Sequence, residues 1–196
     1  MTEFISVLIG YLCGSIPFGL ILTKAAGLGD VRNIGSGNIG ATNVLRTGNK
    51  RIAALTLLLD GLKGAVPVFL FNYFGEPQAG MIAGLAAMIG HLFPIWLGFK
   101  GGKGVATNIG VLFGLYWPLG LIFIALWIAL AFAFRISSLA GLVTSALSPL
   151  WAYLLGHTEL VLPTVFIAIA IWIMHRANIG RLIKGEEPRI DLGKRA

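Results

Sequence analysis

The chain has 196 residues, 57% of them hydrophobic and only 12% charged, with a formal net charge of +7. A mean hydropathy of +0.86 excludes an ordinary soluble domain and places the chain in a bilayer. The lone Cys13 excludes an intrachain disulfide and a cysteine-rich metal site, and the basic residues follow the pattern of membrane loops, so no nucleic-acid partner is expected.

The first apolar stretch, Phe4 to Thr23, lacks a basic leader and a clear cleavage site, and is expected to be a retained helix rather than a signal peptide. Further stretches run from Ile52 to Phe74, Ala79 to Leu97, Trp117 to Phe134, Leu139 to Leu155 and Leu160 to Met174. Most approach the roughly 20 residues that cross a hydrocarbon core about 30 Å thick. Val105 to Tyr116 covers only about 18 Å at about 1.5 Å per residue, which predicts a short or half-buried helix whose full crossing is left open. The expectation is an all-α polytopic membrane bundle of about seven helices, one of them short, forming a single domain over 1–196.

Lys24, Arg32, Arg46, Lys50 and Arg51 follow the first span, Lys100 and Lys103 the third, Arg135 the Trp117–Phe134 span, and the remaining basic residues the last. The opposite connections hold Glu3, Glu76, His157 and Glu159 and no Lys or Arg. By the positive-inside rule, the N-terminus is expected outside and the C-terminus in the cytoplasm if the short segment crosses.

"RNIGSGNIGATN", Arg32 to Asn43, matches the dinucleotide pattern G-x-G-x-x-G through Gly35, Gly37 and Gly40, with Asp60 twenty residues further on. A Rossmann loop needs a strand before it and a parallel sheet around it, and here a membrane helix precedes the loop while Asp60 lies inside an apolar span. The match is accidental, but its chemistry suits a phosphate cradle. Glycines let backbone N–H groups approach an anion, Ser36, Asn38, Thr42 and Asn43 add donors, and Arg32 and Arg46 add charge. The plainer alternative is an interfacial loop with helix-capping side chains.

"GFKGGKGVATN", Gly98 to Asn108, repeats the theme with Gly101, Gly102, Lys103 and Gly104. It is not a Walker A loop, since Leu97 stands at the first glycine position and Gly104 at the Ser/Thr position. Two basic glycine loops on one predicted face suggest two anionic groups, or one held from two sides; contact with lipid headgroups is the alternative. In the tail, "HRANIGRLIKGEEPRI", His175 and Asn178 share a helical face at i and i+3, while Arg176, Arg181 and Lys184 suit anionic lipid. Asp60 and Lys63, also i and i+3, are expected to form an ion pair that supports the loops, with direct substrate contact by Lys63 a lesser alternative, and His91 to hydrogen-bond a neighbouring helix. The three scattered histidines and few carboxylates offer no metal-ligand set, so neither metal nor cofactor is expected.

Together these segments resemble the bacterial acyl-phosphate:glycerol-3-phosphate acyltransferases, the PlsY-type membrane enzymes. The resemblance runs through "GSGNIGATN" with Arg46 after it, "LDGLKG", "GHLFPIWLGFKGGKGVAT", "RISSLAG" and "HRANIGRLIKGEE", and so covers essentially the whole chain. It implies transfer of a fatty acyl group from acyl phosphate to the 1-hydroxyl of sn-glycerol 3-phosphate, by seven helices in the bacterial inner membrane with the site open to the cytoplasm. It also implies Ser36, Arg46, Lys103, His175 and Asn178 as the leading active-site residues, Ser138 as an addition, and Glu186 at the acidic position of the tail motif. Ser36, its neighbouring glycines, Arg46 and Lys103 would hold phosphate and offset charge at the attacked carbonyl, while His175 and Asn178 would orient glycerol phosphate or share its proton. The H-x-x-x-x-D pair of many other glycerol phosphate acyltransferases is absent, as Trp96, Leu162 and Gly180 stand five residues after the histidines. Expected partners are acyl phosphate, glycerol 3-phosphate and membrane lipid, with transient contact to the soluble enzyme that makes acyl phosphate left open. The rival is a transporter for a phosphorylated solute, disfavoured because the anion-binding candidates gather on one face.

Overall fold

The computed structural model describes residues 1–190, so the tail charges Lys194 and Arg195 lie outside the described residues. Among the described residues, every regular element is helical. The chain forms two compact units, Met1–Gly120 and the part from Leu121 onward.

The first unit opens with α1 (Thr2–Gly14) and α2 (Phe18–Ala25), where the sequence predicted one continuous helix. Pro17 is the physical reason for the break: it has no N–H to donate and biases Ile16 away from helical geometry. After a short α3 (Ala41–Val44), the 24-residue α4 (Lys50–Tyr73) starts where the Asn49 side chain accepts from the Ile52 N–H at 3.1 Å. Pro77 begins α5 (Pro77–Leu92), which ends before Pro94, so the expected span to Leu97 finishes as a separate 3-10 turn, Ile95–Leu97. The predicted short segment is α6 (Val105–Leu115), 11 residues or about 16 Å.

Glycine lets these helices approach closely. A Cβ on Gly10 or Gly14 of α1 would overlap the carbonyl oxygens of Ala83 and Ala87 in α5. A Cβ on Gly64 of α4 would overlap the Thr107 carbonyl oxygen, and one on Gly110 of α6 would overlap that of Gly61. In a bilayer, where lipid tails compete equally for apolar contact, such small-residue faces are a main source of helix association.

Helix α7 (Trp117–Phe134) leads into the second unit, which contains α8 (Ser137–Leu154), α9 (Val161–Met174) and α10 (Arg176–Ile183). Thr144, Ser145 and Ser148 of α8 return their hydroxyls to carbonyls three or four residues back, at 2.7, 3.0 and 2.9 Å, which satisfies them without solvent. Helix α8 packs on α9, where Trp172 Nε1 donates to the Leu142 carbonyl at 3.1 Å. Among the described residues, Thr2–Ala25, Lys50–Tyr73, Pro77–Leu97 and Trp117–Phe134 can cross a membrane by length and apolar composition, and Thr158–Met174 with Arg176–Ile183, bent by 65°, has the composition of a broken span or a re-entrant loop. Large apolar side chains such as Leu57, Leu58 and Phe69 on α4 and Leu162, Ile169 and Ile173 on α9 are exposed, as lipid contact requires.

Gly110→Leu forces the α4–α6 seam apart and is expected to cost about 3 kcal/mol, read as a lowered thermal midpoint in detergent. An unchanged midpoint would show that this approach does not hold the helices.

Candidate active site

The loop before α3 is organised by one buried amide. Asn43 Nδ2 donates to the carbonyls of Val31, Ile34 and Asn38 at 2.9, 2.9 and 2.8 Å. Its Oδ1 accepts from the Ser36 N–H at 3.0 Å, the Ser36 hydroxyl at 3.2 Å and Arg46 Nη1 at 3.4 Å. Asn43 was expected among the phosphate ligands; the structure spends its hydrogen bonds on holding the loop. Ser36, Gly37, Thr42 and Arg46 are exposed, and Asn38 and Gly40 partly so. Asn38 Oδ1 accepts from the Gly40 N–H at 2.8 Å, closing the turn into α3. Gly35 has φ +54, and a Cβ there would lie 2.6 Å from Arg46 Nη1 and 2.7 Å from Asn43 Oδ1, so only glycine brings the Ser36 backbone this near to Arg46.

Arg32 differs from the expectation that it supplies free charge. Its guanidinium engages both Asp30 oxygens, with Nη2 2.6 Å from Oδ2 and Nε 2.9 Å from Oδ1. The hydrogen bonds from Arg32 hold the Asp30 carboxyl well below its usual range. The charge of Arg32 is thereby offset within the turn.

In the second loop Gly102 and Gly104 are buried and Gly101 and Lys103 half-buried. Gly104, at φ +87 and against Met88, begins α6 without a side-chain cap. The first N–H groups of α6 thus follow directly on Lys103, an arrangement suited to an anion. Beneath it, Lys63 Nζ lies 2.7 Å from Asp60 Oδ1, as the sequence predicted, and donates to the Ile16 carbonyl at 2.8 Å. His91 Nδ1 is 3.9 Å from the same Asp60 oxygen, beyond the hydrogen bond to a neighbouring helix that was expected.

In the second unit, His175 is buried at the bend between α9 and α10, with Nδ1 2.8 Å from the Ile171 carbonyl. A carbonyl can only accept, so Nδ1 carries a proton and donates to it. Asn178 is also buried; its Nδ2 donates to Glu187 Oε1, which fixes the amide orientation and leaves Oδ1 without a hydrogen-bond partner. Glu187 further accepts from the Ser138 hydroxyl at 2.7 Å and from Arg181 Nε at 2.7 Å.

Three expectations change here. The acid of the tail motif that joins Ser138, Asn178 and Arg181 is Glu187, not Glu186, which is exposed: after Gly185, at φ +72, the chain folds back and turns the second of the two glutamates inward. Arg181, assigned to lipid, pairs with Glu187. Ser138, expected on phosphate, donates its hydroxyl hydrogen bond to that carboxylate. Burial alone would raise the Glu187 carboxyl, but the hydrogen bonds from Asn178, Ser138 and Arg181 outweigh it and hold the group below its ordinary value.

The sequence profile of glycerol-3-phosphate acyltransferase matches residues 4–185. This chain belongs to the glycerol-3-phosphate acyltransferase family. A family member from Mesorhizobium japonicum (strain LMG 29417 / CECT 9101 / MAFF 303099) is 58% identical over 186 residues, covering 95% of each chain. Another, from Sinorhizobium medicae (strain WSM419), is 59% identical over 181 residues, covering 92% of this chain and 89% of its own. The glycerol 3-phosphate form of PlsY (YgiH), an integral membrane glycerol 3-phosphate acyltransferase, matches the fold with a TM-score of 0.91 at 37% identity, over 97% of this chain and 96% of that one. The lysophosphatidic acid form matches with a TM-score of 0.89 at 35% identity, over 96% and 95%. This acyltransferase is therefore an all-helical integral membrane protein.

Two substitutions check the loop organisers. Asn43→Asp removes both N–H donors and sets a carboxylate against three carbonyls, an expected loss of about 3 kcal/mol seen as a lower thermal midpoint. Glu187 has a depressed carboxyl pKa, so its stabilisation is fully present above the unfolded value of about 4.3 and fades as pH falls through the lower folded one. Glu187→Gln should destabilise the acyltransferase by about 2 kcal/mol at pH 7 and flatten the acid limb of its stability profile; an unaltered profile would count against the network.

Proposed function

We propose that this acyltransferase moves a fatty acyl group from acyl phosphate to the 1-hydroxyl of sn-glycerol 3-phosphate, giving lysophosphatidate and inorganic phosphate. The observation that carries this reading is the glycine loop containing Lys103, which runs straight into the uncapped start of α6 and offers a cation and aligned N–H groups to a phosphate. The PlsY forms named for glycerol 3-phosphate and lysophosphatidic acid support the same chemistry. The active face is the cytoplasmic side of the bacterial inner membrane, as the basic loops favour. The acyl chain lies among apolar helices, and glycerol phosphate arrives from water. The soluble enzyme that makes acyl phosphate docks transiently at that face to deliver the donor.

Acyl phosphate is a mixed anhydride with a good leaving group, so no acyl-enzyme is needed. The glycerol hydroxyl oxygen attacks the carbonyl carbon, the bond from that carbon to the phosphate oxygen breaks, and phosphate departs with the electron pair. Ser36, Arg46, Lys103 and the loop N–H groups hold phosphate and offset negative charge as it develops on the carbonyl oxygen. Asn178 Oδ1 is an acceptor for a substrate hydroxyl, and holding that hydroxyl in line supplies much of the rate. The proton passes to His175 Nε2 or to a phosphate oxygen of the substrate. No step requires a metal ion.

Purified protein given acyl phosphate and glycerol 3-phosphate should release lysophosphatidate and phosphate in equal amounts, undiminished by a chelator. If His175 is the base, His175→Ala lowers kcat about 100-fold or more and removes the acid limb of the pH–rate profile. An unchanged rate and profile would assign the proton to the substrate phosphate. Absence of lysophosphatidate from wild-type protein, or its restoration only by a divalent ion after chelation, would overturn the proposal.

A further inference from the structure

His91 lies in the last turn of a transmembrane helix, and its ring is buried against the loop that carries Lys103. A Cβ on Gly102 would overlap His91 Nε2 and stand 2.6 Å from Cε1 and 3.1 Å from Cδ2; all three of its nearest atoms belong to that ring. Gly102 does not occupy the left-handed region, so its backbone would accept alanine, and the imidazole alone demands glycine. Two backbone bonds run beside this contact. The Gly102 N–H donates to the His91 carbonyl at 3.0 Å and the Gly101 N–H to the Leu92 carbonyl at 3.1 Å. The loop is thus stitched to the end of α5 by two hydrogen bonds and one ring, immediately before Lys103.

The other edge of the ring faces a fixed structure. Asp60 and Lys63 have side chains only 2% exposed, and Lys63 joins Asp60 to the Ile16 carbonyl at the α1–α2 break, with the Phe18 ring centroid 5.8 Å from Nζ. His91 Nδ1 sits 3.9 Å from the paired Asp60 oxygen. The ring therefore lies between an anchored ion pair and the glycine loop.

We infer that His91 is a positioning residue for acyl transfer: wedged between the Asp60–Lys63 pair and Gly102, its imidazole sets where the Lys103 loop presents its charge. The inference rests on the acyl-transfer reading above. It acts through Lys103 and touches no substrate, so its loss weakens both the grip on phosphate and the charge offset that Lys103 supplies.

A steric-relief cycle tests it, with rates measured for acyl phosphate and glycerol 3-phosphate in detergent alongside the thermal midpoint of each variant. Gly102→Ala in the native background should lower kcat/KM tenfold or more, because the methyl group displaces the loop from the ring. His91→Ala should lower kcat/KM about tenfold, through a higher KM for a phosphate-bearing substrate together with a lower kcat. The double variant should be no worse than His91→Ala alone, since the methyl group then occupies vacated space. Additive losses in the double variant, or wild-type KM and kcat in His91→Ala, would overturn the inference. Should His91→Ala not purify as a folded protein, His91→Asn paired with Gly102→Ala poses the same cycle, since the shorter side chain also withdraws the ring edge. Wild-type turnover separates the two levels: no lysophosphatidate from the native protein refutes the function itself, whereas normal turnover with an additive cycle refutes only the role of His91.

Discussion

Lys63 is the side chain on which the first unit depends. Within hydrocarbon no water is present to satisfy a polar group, so each buried charge and each freed carbonyl needs a partner from the chain itself. Proline at position 17 interrupts the first helix, and the Ile16 carbonyl at the interruption receives the Lys63 ammonium, which also pairs with Asp60. One cation thus serves a broken helix and a buried carboxylate together, and ties the first membrane-crossing segment to α4. The break, the pair and the adjoining histidine form one connected polar seam in an apolar unit.

The two units organise their polar loops by the same device with different chemistry. In the first, the neutral amide of Asn43 gathers three carbonyls on its nitrogen and two Ser36 groups and Arg46 on its oxygen. In the second, the Glu187 carboxylate gathers donors from Ser138, Asn178 and Arg181. A loop held from within can leave other polar groups unspent. Asn178 keeps an oxygen without a hydrogen-bond partner, and Ser36 and Arg46 stay exposed while tied to Asn43. Organiser and ligand-facing roles fall on different atoms even where they share a residue.

Much of this was legible in the residues. The apolar stretches marked the helices, and the short segment before Trp117 is short in the structure. The i, i+3 spacing of Asp60 and Lys63 foretold their pairing because helical geometry is local. Long-range partners were not legible. Nothing in the order of residues says that Asn43 would spend its amide on Val31, Ile34 and Asn38, since this depends on how an irregular loop closes. Choosing between Glu186 and Glu187 required the direction of the chain after a left-handed Gly185, and adjacent identical side chains carry no periodic signal. Arg32 was misjudged for a nearer reason: Asp30, two residues away, was a visible counter-ion in a tight turn. The proline before α2 likewise announced a break that a hydropathy profile smooths over.

The seam between α4 and α6 also limits how a lipid can reach the protein. At Gly64 and Gly110 the facing backbone leaves no room even for one added carbon. A methylene of an acyl tail is as thick as that missing carbon, so a hydrocarbon chain cannot thread between these two helices. At these two points the α4–α6 seam is closed to a lipid tail.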